Sequence, residues 1–305
     1  MLAVALLAGC GDDSTPSTTA ETTLATAPAG GYEIESTVET LVDDTRPTPP
    51  NGSFAGAPDR TIETKIYRPV LPEGGDATDG FPLIVFSHGI DDDDERYTEV
   101  LAEWAEAGYV VAAPNFPLSR KGAPGGPTLA DLDNQPGDLQ FVTDEIRRLS
   151  SDGDHDLAGL VGDRTALAGK SFGAITTLTA VYGADPIDGP IDAVVSMAGA
   201  MDDPSGAGRV ETPLLLIHGE SDERVPYRSS VDIFAAANPP KYLLSLLDEG
   251  HTGAYNGGES PMEKLVPQAA LDFFDAHLKD DDAAVERLID NSEIPAVSII
   301  EAEPG

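Results

Sequence analysis

The sequence predicts an α/β protein built around a mostly parallel sheet with helices on both faces, and three observations predict it. Short apolar runs of strand length recur at 83–86, 109–113, 165–168, 193–197, 214–217 and 242–247. Runs that are apolar at every position fit strands buried on both faces, as parallel strands are. Segments with helical spacing lie between several of them, and strands alternating with helices argue for a parallel sheet wrapped on two sides. The 305 residues carry no mid-chain linker and no tandem repeat, so one domain is expected over 32–280.

The elements follow in chain order. Residues 33–42 and 61–68 alternate polar and apolar side chains, the pattern of antiparallel strands opening the sheet. The strand at 83–86 runs into Ser87-His88-Gly89-Ile90. Over 96–107, Tyr97, Val100, Leu101 and Trp104 recur at the helical period, and Gly108 is a natural stop. A strand at 109–113 leads to a Gly/Pro-rich loop at 114–137, which reads either as a pocket wall bearing Phe116, Leu118 and Arg120 or as a variable surface loop. A helix is expected over 138–149 with Val142, Ile146 and Leu149 inward, and a second one over 174–181 after the strand at 165–168. The linker 198–213 is too short to hold a helical cap. The tail 281–305 shows one helical pattern at 283–289 and an apolar stretch at 294–300, which either packs on the core or stays mobile.

Gly169-Lys170-Ser171-Phe172-Gly173 places a serine between two glycines on a strand-to-helix turn. That is the context of a G-x-S-x-G nucleophile elbow, in which the turn is too tight for flanking side chains and the amides opening the helix face any anion beside the serine. A serine hydroxyl is a weak nucleophile and needs a histidine base oriented by a carboxylate. Of the five histidines, His88 and His155 precede the serine, His155 in a loop that looks solvated; His277 sits in a helical pattern, and His218 ends an apolar run as a hydrogen-bonded structural imidazole would. His251 remains, in the loop Glu249-Gly250-His251-Thr252-Gly253 after a strand. For the acid, the loop at 218–226 offers Glu220, Asp222 and Glu223; Asp222 is preferred because its spacing from the strand end and the Val225-Pro226 that follows resemble the acid loop of the α/β-hydrolases. Two backbone donors complete the set: the amide of Phe172, and that of Ile90 with Gly89 second, in the loop after 83–86.

On these stretches, residues 32–279 resemble the α/β-hydrolases, in particular the branch of dienelactone hydrolases, platelet-activating-factor acetylhydrolases and bacterial carboxylesterases. The run 163–173 is similar to that family's strand and elbow, and His218-Gly219 through Asp222 to Val225-Pro226 to its acid loop. The resemblance implies a central, mostly parallel sheet of about eight strands without a large cap, no cofactor, and a Ser171–His251–Asp222 triad that cleaves small or short-chain carboxylic esters through an acyl-enzyme. Lys170 stands where the family often has histidine, a change expected to alter local packing and charge more than chemistry. Ser171 replaces the cysteine of true dienelactone hydrolases, which argues against dienelactone as substrate. A peptidase of the same fold and a catalytically idle, lipid-tethered binding protein are the rival readings.

Residues 1–10 form an apolar run ending in Cys10, the only cysteine, and Leu7-Ala8-Gly9-Cys10 resembles a bacterial lipobox. Lipidation at Cys10, with the Thr/Ser/Ala/Pro-rich stretch 11–31 as a tether, would hold the protein on the extracytoplasmic face of a bacterial membrane. The run lacks a basic leading region, which points to a start further upstream. A single cysteine permits no internal disulfide and, with scattered histidines, no zinc constellation. The net charge of -36, from 54 acidic and 18 basic residues, argues against nucleic-acid binding and disfavours anionic substrates. Asp91-Asp92-Asp93-Asp94-Glu95 reads as a solvated approach to a helix N-terminus; it and Asp152, Asp154 and Asp156 offer oxygen ligands of the kind calcium takes.

Overall fold

The computed structural model describes residues 30–72, 77 and 79–305. The expected lipidation at Cys10 lies outside the described residues. A nine-stranded sheet organises the chain: β1 (Glu33–Asp43), β2 (Arg60–Val70), β3 (Phe81–Ser87), β4 (Val110–Asn115), β5 (Val161–Lys170), β6 (Ala193–Met197), β7 (Leu214–Gly219), β8 (Lys241–Leu246) and β9 (Ser298–Glu303). Its spatial order is β1-β2-β4-β3-β5-β6-β7-β8-β9. The six strands from β4 to β8 run parallel, whereas β1 and β2 at one end and β9 at the other pair antiparallel.

Among the described residues six helices cover the sheet: α1 (Thr98–Glu106), α2 (Gln135–Ser151), α3 (Phe172–Tyr182), α4 (Arg228–Ala236), α5 (Pro261–Leu278) and α6 (Asp282–Ser292). Because side chains alternate along a strand, β3 sends Ile84 and Phe86 to one face and Leu83 and Val85 to the other. The first face packs Trp104 of α1 with Phe273 and Phe274 of α5; the second packs Val142 and Ile146 of α2 with Leu178 of α3. Both faces are therefore apolar, which is why the central strands read as unbroken hydrophobic runs. Among the described residues no helix is long and apolar enough to cross a membrane.

The structure corrects three expectations and adds one helix. The sheet has nine strands rather than about eight, because the tail supplies α6 and then β9, whose backbone pairs with β8 over Lys241–Leu246. α4 carried no clear sequence signal in our reading. Within 114–137, Phe116 and Leu118 are buried core residues rather than a pocket wall, whereas Arg120 lines a cavity with Pro117 and Pro124; a 3-10 turn forms at Leu129–Asn134, and α2 begins at Gln135, ahead of the expected 138. Finally, the acidic run 91–95 is knitted into the fold rather than merely solvated. Asp92 accepts from the Tyr97 hydroxyl at 3.0 Å, Asp93 pairs with Lys121 at 3.5 Å, and Asp94 accepts from Asn115 Nδ2 at 2.6 Å.

Candidate active site

The chain passes from β3 outward to β4 and then returns to the other side of β3 as β5. Such a reversal opens a crevice at the carboxyl ends of the strands, where open α/β sheets bind ligands. Ser171 stands there, between β5 and α3, with φ 57° and ψ -119°. This is a left-handed backbone that a residue with a Cβ adopts at a cost of about 1–3 kcal/mol. The surrounding packing enforces it. The Ser171 amide donates to the Met197 carbonyl at 2.8 Å, and the Ile175 amide donates to the Ser171 carbonyl at 3.0 Å. A Cβ at Gly173 would collide with the Ser87 and His88 carbonyls, and one at Gly169 with the Gly173 carbonyl. Both glycines are thus required for α3 to press against β3 and β5.

His251 reaches this serine from the loop after β8: its Nε2 lies 2.8 Å from Ser171 Oγ. Its Nδ1 lies 2.6 Å from Asp222 Oδ2, in the loop after β7. The two loops are tied together, since the Ser221 amide donates to the Glu249 carbonyl at 2.9 Å and the Glu220 amide to the Leu246 carbonyl at 3.0 Å. Asp222 Oδ1 accepts the Arg224 and Val225 amides at 2.8 and 2.9 Å. Burial pushes the Asp222 carboxyl upward, but the His251 hydrogen bond and these two amides outweigh it and hold its pKa below the ordinary value. For His251 burial dominates, and although Asp222 opposes it, the imidazole pKa falls below its ordinary value, with Lys170 adding to the decrease. A neutral His251 donating from Nδ1 to the carboxylate leaves Nε2 free to accept from the serine hydroxyl.

Glu220 and Glu223 are exposed, as a solvated acidic loop implies. His218 is buried, with Nδ1 2.7 Å from Ser230 Oγ and Nε2 3.0 Å from the Val225 carbonyl and 3.3 Å from Asp222 Oδ2. It is a structural imidazole that also faces the acid. His88 is likewise structural: it is fully enclosed, its Nδ1 facing the Gly89 carbonyl at 2.7 Å and its Nε2 accepting the Phe116 amide at 3.1 Å. His277 packs edge-on against Phe273, and burial lowers its pKa to about 4. His155 lies 3.4 Å from Glu39 of β1.

The loop carrying Gly89 and Ile90 lies against the elbow, for a Cβ on Gly89 would stand 3.6 Å from the Lys170 carbonyl. The amides of Ile90 and Phe172 donate to no acceptor among the described residues. Two donors so placed could receive an oxyanion formed next to Ser171 Oγ. Ser171 and His251 are each 8% exposed.

Sequence reasoning missed the setting of Lys170. Its side chain is 3% exposed beneath the His251 loop, with Nζ 5.8 Å from the centre of the Tyr255 ring and no carboxylate at ion-pair distance among the described residues. Burial lowers its pKa to about 8. Tyr255 was missed too; its hydroxyl accepts the Gly219 amide at 3.0 Å and so fixes the start of the acid loop. Among the described residues no group of three or more His, Cys, Asp or Glu side chains is arranged to hold a metal ion. Neither a scan against protein-family models nor a search of curated proteins finds a match for this chain.

Proposed function

We propose that this chain is a serine hydrolase of the α/β-hydrolase fold that cleaves small or short-chain carboxylic esters through an acyl-enzyme. The observation that carries the reading is the continuous contact from Ser171 Oγ through His251 to Asp222, at 2.8 and 2.6 Å, on a strained strand-to-helix turn. His251 Nε2 takes the serine proton as Oγ attacks the ester carbonyl, and Asp222 stabilises the imidazolium that forms. The Phe172 and Ile90 amides receive the oxyanion, the imidazolium returns its proton to the departing alcohol, and water then repeats the sequence in reverse on the acyl-enzyme. The short 198–213 connection, with only a 3-10 turn at Pro204–Arg209, supports an open site for soluble esters rather than emulsified fats.

Labelling with a fluorophosphonate probe, followed by peptide mapping, tests the nucleophile: modification at Ser171 that vanishes in Ser171→Ala is the expected result. An unlabelled native protein would support the idle binding protein instead. Chromogenic esters of graded acyl length, run beside peptide substrates, separate an esterase from a peptidase. Anchorage at the extracytoplasmic membrane face through Cys10 completes the proposal. Cys10→Ala should release the protein from the membrane fraction, and unchanged retention would refute it.

A further inference from the structure

We propose that Gln135 is a positioning residue that fixes the spacing between the two backbone donors of the oxyanion site, Ile90 and Phe172; this rests on the hydrolase reading above. The two donors belong to separate parts of the fold, Ile90 to the loop after β3 and Phe172 to the first turn of α3. No hydrogen bond between them holds their separation. A buried relay does. Gln135, fully buried, donates from Nε2 to Ser119 Oγ at 2.7 Å and accepts the Thr176 hydroxyl at Oε1. Thr176 lies one turn along α3 from Phe172, its hydroxyl 3.1 Å from the Phe172 carbonyl. On the other side, the Ser119 carbonyl accepts the amide of Asp91, the residue next to Ile90, at 2.9 Å. The backbone of Asp91 is itself held at φ 57°.

A second tie, from the Lys121 amide to the Asp92 carbonyl at 2.9 Å, binds the same two loops. Ser119 and Thr176 have no exposed surface, so water cannot replace Gln135 in this relay. The amide presents a donor to Ser119 and an acceptor to Thr176 on one rigid plane. Gln135 is in turn anchored from both sides, because Asp131 and Asp138 grip the buried Arg60. The segment 114–137 therefore acts as a brace for the loop bearing Ile90.

The test compares Gln135→Met, Thr176→Val and Thr176→Ser by steady-state hydrolysis of 4-nitrophenyl acetate, phosphonate labelling rate and thermal melting. Gln135→Met and Thr176→Val should lower kcat and the labelling rate about 10- to 100-fold, less than deletion of a whole oxyanion donor. KM should stay within about twofold, the signature of an interaction felt in the transition state. Thr176→Ser, which keeps the hydroxyl, should retain native kcat. Unchanged kcat in both disruptive variants, with only a lower melting temperature, overturns the proposal, as does Thr176→Ser falling as far as Thr176→Val. Should Gln135→Met not fold, the Thr176 pair decides. A native protein that neither hydrolyses the ester nor takes the probe at Ser171 instead defeats the hydrolase reading, and this inference with it.

Discussion

The Arg60 cluster behind β2 and the Ser171 site at the carboxyl ends of β5, β7 and β8 both bury ionisable groups, yet only the first balances them. Arg60 is fully enclosed and meets Asp138 through Nε at 2.7 Å and Asp131 through Nη1 and Nη2 at 3.1 and 2.9 Å. Arg46 adds a second cation 2.9 Å from Asp138, and Asn134 a further donor to Asp131 at 2.8 Å. Every charge there faces an opposite one, and although burial still raises the Asp138 pKa above its ordinary value, removing either partner would leave a bare ion in a dry interior. Around Ser171 the balance is incomplete: among the described residues Lys170 has no close counterion, and burial lowers the His251 pKa beside a carboxylate. The contrast teaches that a saturated cluster fixes geometry, whereas an unsaturated one keeps a proton in play.

Four substitutions sharpen or break this contrast, in descending order of effect. Ser171→Ala removes the nucleophile and should lower kcat for ester hydrolysis by about 10⁶-fold. A native-like rate in that variant would move the chemistry elsewhere. Asp222→Asn keeps the shape but imposes the wrong imidazole tautomer, and kcat should fall about 10⁴-fold. Arg60→Met strands two buried carboxylates, so urea unfolding should show a loss of about 3–5 kcal/mol. A loss under about 1 kcal/mol would mean that the cluster is not the static anchor described.

Lys170→Met acts in the opposite sense. The ammonium disfavours the imidazolium of His251, so its removal should raise the His251 pKa and move the acid limb of kcat/KM to higher pH. The native Lys170 pKa, about 8 against an ordinary 10.5, means that the folded state binds fewer protons than the unfolded one between those values. Native stability should therefore gain a contribution as pH rises from about 8 to 10.5, and the variant should lose that slope without losing stability at neutral pH. An unmoved acid limb together with a lower melting temperature would mark Lys170 as packing alone.

How much of this was legible in the sequence depends on how far each partner lies along the chain. Ser171, Phe172 and the two glycines are specified by neighbours in one turn, whereas Asp222 is singled out among three carboxylates by its resemblance to the α/β-hydrolase acid loop and His251 by elimination among five histidines. The relay through Gln135 joins residues 119, 135 and 176, and the Arg60 cluster joins 46, 60, 131 and 138. Such pairs leave no local pattern; only the folded sheet brings them together. Lys170 was visible as a departure at its position, but its burial follows from Tyr255 and the His251 loop closing over it. β9 was missed for a related reason. Its alternation of buried Ser298 and Ile300 with exposed Ile299 and Glu301 is short, and it becomes a strand by accepting the free side of β8.

Among the described residues the sheet ends in two selvedges, β1 and β9, and an edge strand has one side of its backbone that no strand of the sheet takes up. Exposed apolar side chains sit on both, Val38 and Val42 on one and Ile299 on the other. Glu33 and Glu35 lie on the first and Glu301 and Glu303 on the second, all exposed; Glu35 is paired with Arg68 and Glu303 with Lys241, which leaves Glu33 and Glu301 to supply the repulsion. Molecules meeting side by side present like charge to like charge before their backbones can engage. Such a guard reaches only as far as salt permits, to about 3 Å at 1 M ionic strength, so concentrated brine is where stacking into ribbons should first set in.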